Sequence, residues 1–310
     1  MNGRSSPEPA TPGSYGELPK GYRLPEAARV GQVRLQVADL ERSLEFYRQI
    51  LGFHVLQREN GRASLGAGDN GQVLVELLER KGARRAGRGL LGLFHFAILL
   101  PDRAALGRFV RHLAETGTRA GAGDHLVSEA FYLTDPDGLG IEVYADRPQS
   151  TWQRIGREIM MTTDPVDVDS IVGAAGETRW TGMPEGTVIG HVHLHVGNLD
   201  EAKAFYSEAL GFDRTTWSYP GALFMSAGGY HHHLATNTWA GATARPPAEE
   251  DARLIDWSLE LPTSDDVMAA VGSVGSAGYS VQATGADTLI EDPWGTRVRL
   301  CAIMAGSLVS

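Results

Sequence analysis

The chain carries ten histidines, and seven of them fall in three short runs. His191, His193 and His195 alternate in the stretch GHVHLHV, His231 to His233 are consecutive, and His95 lies in the apolar run LFHFAILLP. Glu142 sits in a second apolar run, IEVY, just past the turn Asp135-Pro136-Asp137-Gly138, and His125 and Tyr132 precede that turn. A carboxylate in such a run is costly to bury unless a cation or metal compensates it. On the solvent face of an edge strand it would need no partner. The histidines favour the first reading. Alternation puts His191, His193 and His195 on one face of a strand, where a lone histidine would ordinarily be a hydrogen-bonded core residue. Several histidines on strands that meet are harder to explain by packing, because they desolvate polar rings without apolar gain. Metal binding is the usual compensation.

The elements that position these residues form a repeat. The sequence VGQVRLQVADLERSLEFYRQILGF at Val30–Phe53 returns 159 positions later as IGHVHLHVGNLDEAKAFYSEALGF at Ile189–Phe212. In each, an alternating strand ends at a residue able to cap a helix, Asp39 or Asn198, and a glycine, Gly52 or Gly211, suits the helix C-terminus. Short strand-like runs follow: His54–Arg58, Ala63–Leu65 and Gln72–Leu78, then Thr215–Ser218, Ala222–Met225 and His231–Thr236. A looser pair of units comes after each. Leu93–Pro101 matches Leu254–Pro262, helices are predicted over Arg103–Thr116 and Ser264–Ala277, and both units finish on a turn and a strand. The fold class is therefore α+β, with four βαβββ modules at about 29–80, 91–148, 187–240 and 252–303. Taken in chain order they make an N-terminal domain at 28–148 (modules 1 and 2) and a C-terminal domain at 187–310 (modules 3 and 4). Residues 149–186, with Trp152 and Pro165, read as a linker, and residues 1–27 as a disordered tail.

Composition narrows the function. A hydrophobic content of 42% with 21% charged residues is that of a globular protein long enough to bury two cores. The formal charge of -10 argues against a nucleic-acid or anionic-membrane partner. The densest basic stretch, Arg80–Arg88, is rich in Gly and Ala and reads as an exposed loop. No apolar run approaches the roughly 18 residues needed to span a bilayer. The single cysteine, Cys301, excludes an internal disulfide framework and fits a reducing cytoplasm, and the tail lacks the apolar segment of a signal peptide.

The GHVHLHV…LDEAKAFY…LGF and DPDGLGIEVY patterns resemble the vicinal oxygen chelate superfamily. The four-module length, with DHLVSEAFYLTDPDGLGIEVYADRP, is similar to the extradiol ring-cleaving catechol 2,3-dioxygenases over residues 28–303. The resemblance implies modules paired into curled sheets around a metal cup. It also implies an enzyme in which a catechol-like aromatic diol and O2 meet at a non-haem Fe(II), with Mn(II) as the other candidate, in a homo-oligomer. Carried over by motif, the ligands are His191, which follows glycine on a module's opening strand, His95 on the neighbouring module's opening strand, and Glu142 past the turn. Two imidazoles and one carboxylate on one face of a metal leave positions open for substrates. His125 and Tyr132 would hydrogen-bond the reacting oxygens. His232 would be the acid–base residue, with His231 and His233 on the opposite face.

That assignment has a topological requirement. Module 4 has Asp256 and Arg299 where the family's second histidine and glutamate stand, so the full set exists only in modules 2 and 3. These must then pair across the two halves, leaving modules 1 and 4 without a catalytic metal and Asp256 with Arg299 as an ion pair. Two other functions compete. Gln32, Glu76, His95 and Glu142 resemble the four ligands of a glyoxalase I-type site, which would pair modules 1 and 2 and suit Zn(II), Ni(II) or Mn(II) lyase or isomerase chemistry. A metal-free cup with an apolar and tryptophan lining could instead sequester an aromatic drug, as resistance proteins of this superfamily do. The clustered histidines count against it.

Overall fold

In each module a largely buried strand feeds a helix, and the helix returns the chain to the same sheet. The computed structural model describes residues 6–68, 71–285 and 287–303. The opening strands are Arg29–Val37, Gly92–Leu99, Val188–His195 and Arg253–Leu261. Each pairs in parallel with the last strand of its own module, Val75–Glu79, Gly140–Asp146, Leu234–Asn237 and Arg297–Ala302. Parallel pairing demands a crossover, which the module helix supplies. The helix starts are specified locally. Asp39, Asp102 and Asn198 accept hydrogen bonds from first-turn backbone N–H groups, and Thr263 forms a capping box with Asp266. Gly52 and Gly211 end the first and third helices at φ +84° and +99°, a left-handed conformation that favours glycine. The third helix departs from its counterpart, running as α only over Leu199–Ala202 and as a π-turn over Lys203–Ala209.

Two eight-stranded sheets result. One runs, by strand, through module 3 and then module 2, and the other through module 4 and then module 1, joined in both cases by antiparallel opening strands. The sheets therefore do not follow the sequential halves expected at 28–148 and 187–310. Chain neighbours are tied differently: Tyr47 of the module 1 helix donates to Asp135 in the module 2 turn, and Tyr206 of module 3 to Asp292 in the module 4 turn. The four modules close into a ring. A single apolar core, with Leu35, Phe96, Leu194 and Leu259 among its members, runs through both sheets.

Residues 149–186 do more than connect. Gln153–Ile155 and Glu158–Ile159 form a small sheet with Glu8–Pro9, Val168–Ala174 is a helix, and Trp152, Ile159 and Ile171 are buried. The expected tail is ordered from residue 6 onward, because Ala10, Tyr15 and Leu24 are apolar groups that find a surface to cover. Residues 1–5 lie outside the described residues. Among the described residues no helix is long and apolar enough to cross a membrane.

Candidate active site

The floor of the site is set by register. On the sheet of modules 2 and 3, Ala97 stands opposite His191 on one side and Glu142 on the other, and His95 lies two residues before it on the same strand face. The methyl of Ala97 leaves the space between the three larger side chains open. Gly190, just before His191, lets the chains close up: a Cβ there would lie 1.9 Å from the Tyr144 hydroxyl oxygen.

His95, Glu142 and His191 are 4%, 2% and 1% exposed, and one ligand atom from each lies within 4.8 Å of the other two. Glu142 Oε2 is 2.9 Å from His95 Nε2 and 3.2 Å from His191 Nε2. The first contact lacks the alignment of a hydrogen bond, so His95 Nε2 is buried without a hydrogen-bond partner while facing the carboxylate. Burial is the main cause that lowers His191 to about 4, keeping its ring neutral near pH 7. Burial pushes Glu142 upward, but His191 and His95 outweigh it and hold the carboxyl well below its usual range. An ionised Glu142 beside a neutral His191 is short of positive charge. The donor set fits a divalent cation.

Above this floor is a cavity of about 280 Å³ lined by Phe94, Phe224, Trp239, Met161, Tyr219 and the imidazoles. An apolar cavity of about 150 Å³ can hold benzene, so this one suits a single aromatic ring with modest substituents. His125 and Tyr132 lie on its wall, 2.5 Å apart between Nε2 and the hydroxyl oxygen. His125 Nδ1 is 2.6 Å from the Thr162 carbonyl, which can only accept, so the proton is on Nδ1 and Tyr132 donates to Nε2. Burial, with Glu142 nearby, raises the Tyr132 pKa and keeps its hydroxyl protonated. The backbone beside His125 is fixed by Leu126, at φ +67°, whose N–H donates to Asp124.

The remaining histidines divide by side. His232 lines the cavity with its ring centroid 4.1 Å from that of His191, whereas His231 and His233 are not among the lining residues. Burial and neighbouring imidazoles lower the His232 pKa, so the ring is neutral. The ordered strand begins only at Leu234, three residues after the predicted start, because the chain enters from the left-handed pair Gly228 and Gly229. His193 and His195 share the His191 strand but are held by Asn237, which donates to His193 and accepts from His195. Met161, Thr162 and Thr163 complete the wall and come from the segment read as a linker. The glyoxalase-like set does not assemble, since Gln32 and Glu76 belong to the other sheet and Glu76 faces Arg34 at 3.7 Å.

The Glyoxalase/Bleomycin resistance protein/Dioxygenase superfamily pattern matches residues 29–143 and 188–300. The chain belongs to this superfamily. A superfamily relative from Bacillus subtilis (strain 168), named Catechol-2,3-dioxygenase, is 47% identical over 273 residues, covering 86% of this chain and 95% of its own. Among solved structures, a Bacillus subtilis protein overlays with a TM-score of 0.63 at 13% identity, covering 91% of this chain and 86% of that one. Glyoxalase I from Zea mays overlays at 0.54 and 18% identity, covering 88% and 92%. At these identities the overlays speak to the fold, and it is the vicinal oxygen chelate arrangement of repeated βαβββ modules.

Proposed function

We propose that the protein is an extradiol dioxygenase that opens a catechol-like aromatic diol with O2 at a non-haem Fe(II) held by His95, Glu142 and His191. The observation that carries this reading is the convergence of two imidazoles and one carboxylate on the floor of a ring-sized cavity. The Bacillus relative named Catechol-2,3-dioxygenase, matched along nearly its whole length, supports the substrate class. Bound there, Fe(II) would supply a Lewis acid and a template on which diol and O2 are brought together; Mn(II) is the alternative metal.

The chain's own residues supply the rest. Phe94, Phe224 and Trp239 clasp the ring and exclude water. His232, neutral and at the cavity wall, takes a hydroxyl proton from the diol and later returns one, a role typically worth about 10²–10⁴-fold. The Tyr132 hydroxyl, whose one hydrogen goes to His125 Nε2 in the metal-free site, would turn that hydrogen to negative charge developing on the diol oxygen. The test is anaerobic loading with Fe(II), then a catechol and air. A yellow ring-fission product is expected, and its absence across a panel of catechols would overturn the proposal. Isomerisation of methylglyoxal hemithioacetal with Ni(II) or Zn(II) would instead support glyoxalase chemistry. Tight aromatic binding with no metal requirement would support sequestration.

A further inference from the structure

Behind His232 lies a line of polar groups that the floor does not need. Asp146 is on the same strand as Glu142, four residues on and so on the same face, at the edge of the cup where its side chain is 26% exposed. His231 Nε2 is 2.9 Å from Asp146 Oδ1, and His231 Nδ1 is 2.7 Å from His232 Nδ1. The His231 ring is fully buried, wedged 4.0 Å from the Tyr230 ring and 5.3 Å from that of Trp152, so its orientation is fixed by packing. Tyr230 also donates to Asp146 Oδ1 at 3.2 Å, with Tyr144 2.7 Å behind it.

We propose that Asp146 and His231 are positioning residues that set the tautomer of His232 and present its Nε2 to the cavity as a proton acceptor. The chemical role rests on the dioxygenase reading, while the tautomer itself follows from hydrogen-bond bookkeeping with a single proton on each ring. An ionised carboxylate only accepts, so His231 Nε2 carries a hydrogen. With one proton per ring, His231 Nδ1 is then a lone pair. The hydrogen between the two Nδ1 atoms belongs to His232, and its Nε2 is bare. Among the described residues that Nε2 has no hydrogen-bond partner. When a diol O–H breaks, the proton goes to Nε2 and the electron pair stays on the diol oxygen. The imidazolium so formed is hydrogen-bonded through His231 to the Asp146 carboxylate, the same division of labour by which an aspartate holds the imidazole in serine hydrolases.

The decisive measurement needs neither metal nor substrate. In chelator-treated, ¹⁵N-histidine-labelled protein, long-range ¹H–¹⁵N spectra should show His232 as the Nδ1–H tautomer and His231 as Nε2–H, with His232→Gln giving the assignment. Asp146→Ala should turn His232 into a mixture of both tautomers, and Asp146→Glu should restore the single one. With Fe(II) and catechol, Asp146→Ala should lower kcat by roughly tenfold or more and leave KM within about twofold, and Asp146→Glu should recover part of the loss. A wild-type His232 bearing Nε2–H, a doubly protonated His231, or an Asp146→Ala protein with unchanged tautomer would overturn the proposal. If no variant, wild type included, cleaves a catechol while the spectra are as expected, the dioxygenase reading fails and the tautomer assignment stands.

Discussion

At the positions that the repeat aligns with His191, His95 and Glu142, the sheet of modules 1 and 4 carries Gln32, Asp256 and Arg299. Both cups bury a carboxylate. In the first, Glu142 faces two imidazoles and the Tyr132 hydroxyl but no guanidinium, and burial keeps His191 neutral. In the second, Asp256 is 1% exposed and lies 2.9 Å from Arg34 and 3.2 Å from Arg299, which also reaches Asp287 at 3.2 Å. One scaffold thus holds a carboxylate that lacks a cation and another that has two guanidinium groups. The backbone plan is shared; the side chains opposite the carboxylate decide whether the cup can take a metal.

Removing a donor from the first cup gives the largest effect. His191→Ala, His95→Ala and Glu142→Ala should strip the metal and abolish turnover together, as read by metal content beside steady-state rates. Retained metal in any of them would break the comparison. His232→Ala and Tyr132→Phe come next: both should keep the metal, and His232→Ala should turn over about 10²–10⁴-fold more slowly. A fully active His232→Ala with an inactive His233→Ala would shift the acid–base role to the other face.

In the second cup the same kind of deletion should injure stability and spare chemistry. Asp256→Ala leaves Arg34 and Arg299 facing each other, at a cost of about 3 kcal/mol, seen as a lower urea midpoint with metal content unchanged. Acid separates the cups more gently. An unfolded chain protonates its histidines below about pH 6.5, while the folded protein holds His191 down to about 4 and His233 to about 3. Stability of the metal-free protein is therefore complete above 6.5 and should fall as pH drops through that window, by roughly 1.4 kcal/mol per unit for each such ring. A flat thermal midpoint between pH 6.5 and 4.5 would show that these rings are not buried neutral. The smallest effect belongs to Gln32→Ala, which should change neither metal content nor turnover, and loss of metal there would revive the glyoxalase-like set.

Much of this was legible in the sequence because it repeats. Strand alternation, the caps Asp39 and Asn198 and the glycines after each helix are local signals, and two copies of each made them readable. His95, Glu142 and His191 stood out as polar residues in apolar strands. What the sequence concealed depends on distant surfaces. Met161 and Thr162 reach the cavity from a segment without periodicity, and Thr162 meets His125 through its backbone carbonyl, which no side-chain pattern announces. Alternation alone also treated His191, His193 and His195 alike, whereas Asn237 occupies the last two. The tail looked disordered from its Gly and Pro content, yet Tyr15 and Leu24 are enough to seat it.

The ring of modules has a consequence for how the chain comes to life. The sheet that bears the candidate site is complete once Asn237 has been made, but the opening strand of module 1 must wait for module 4, whose Asp256 is the nearer of the two carboxylates beside Arg34. Throughout that interval Arg29–Val37 offers an unsatisfied strand edge to any neighbouring chain. Late closure of so distant a pair makes folding slow and exposed to misassembly, so overproduction should favour aggregates templated by the first module rather than by the site.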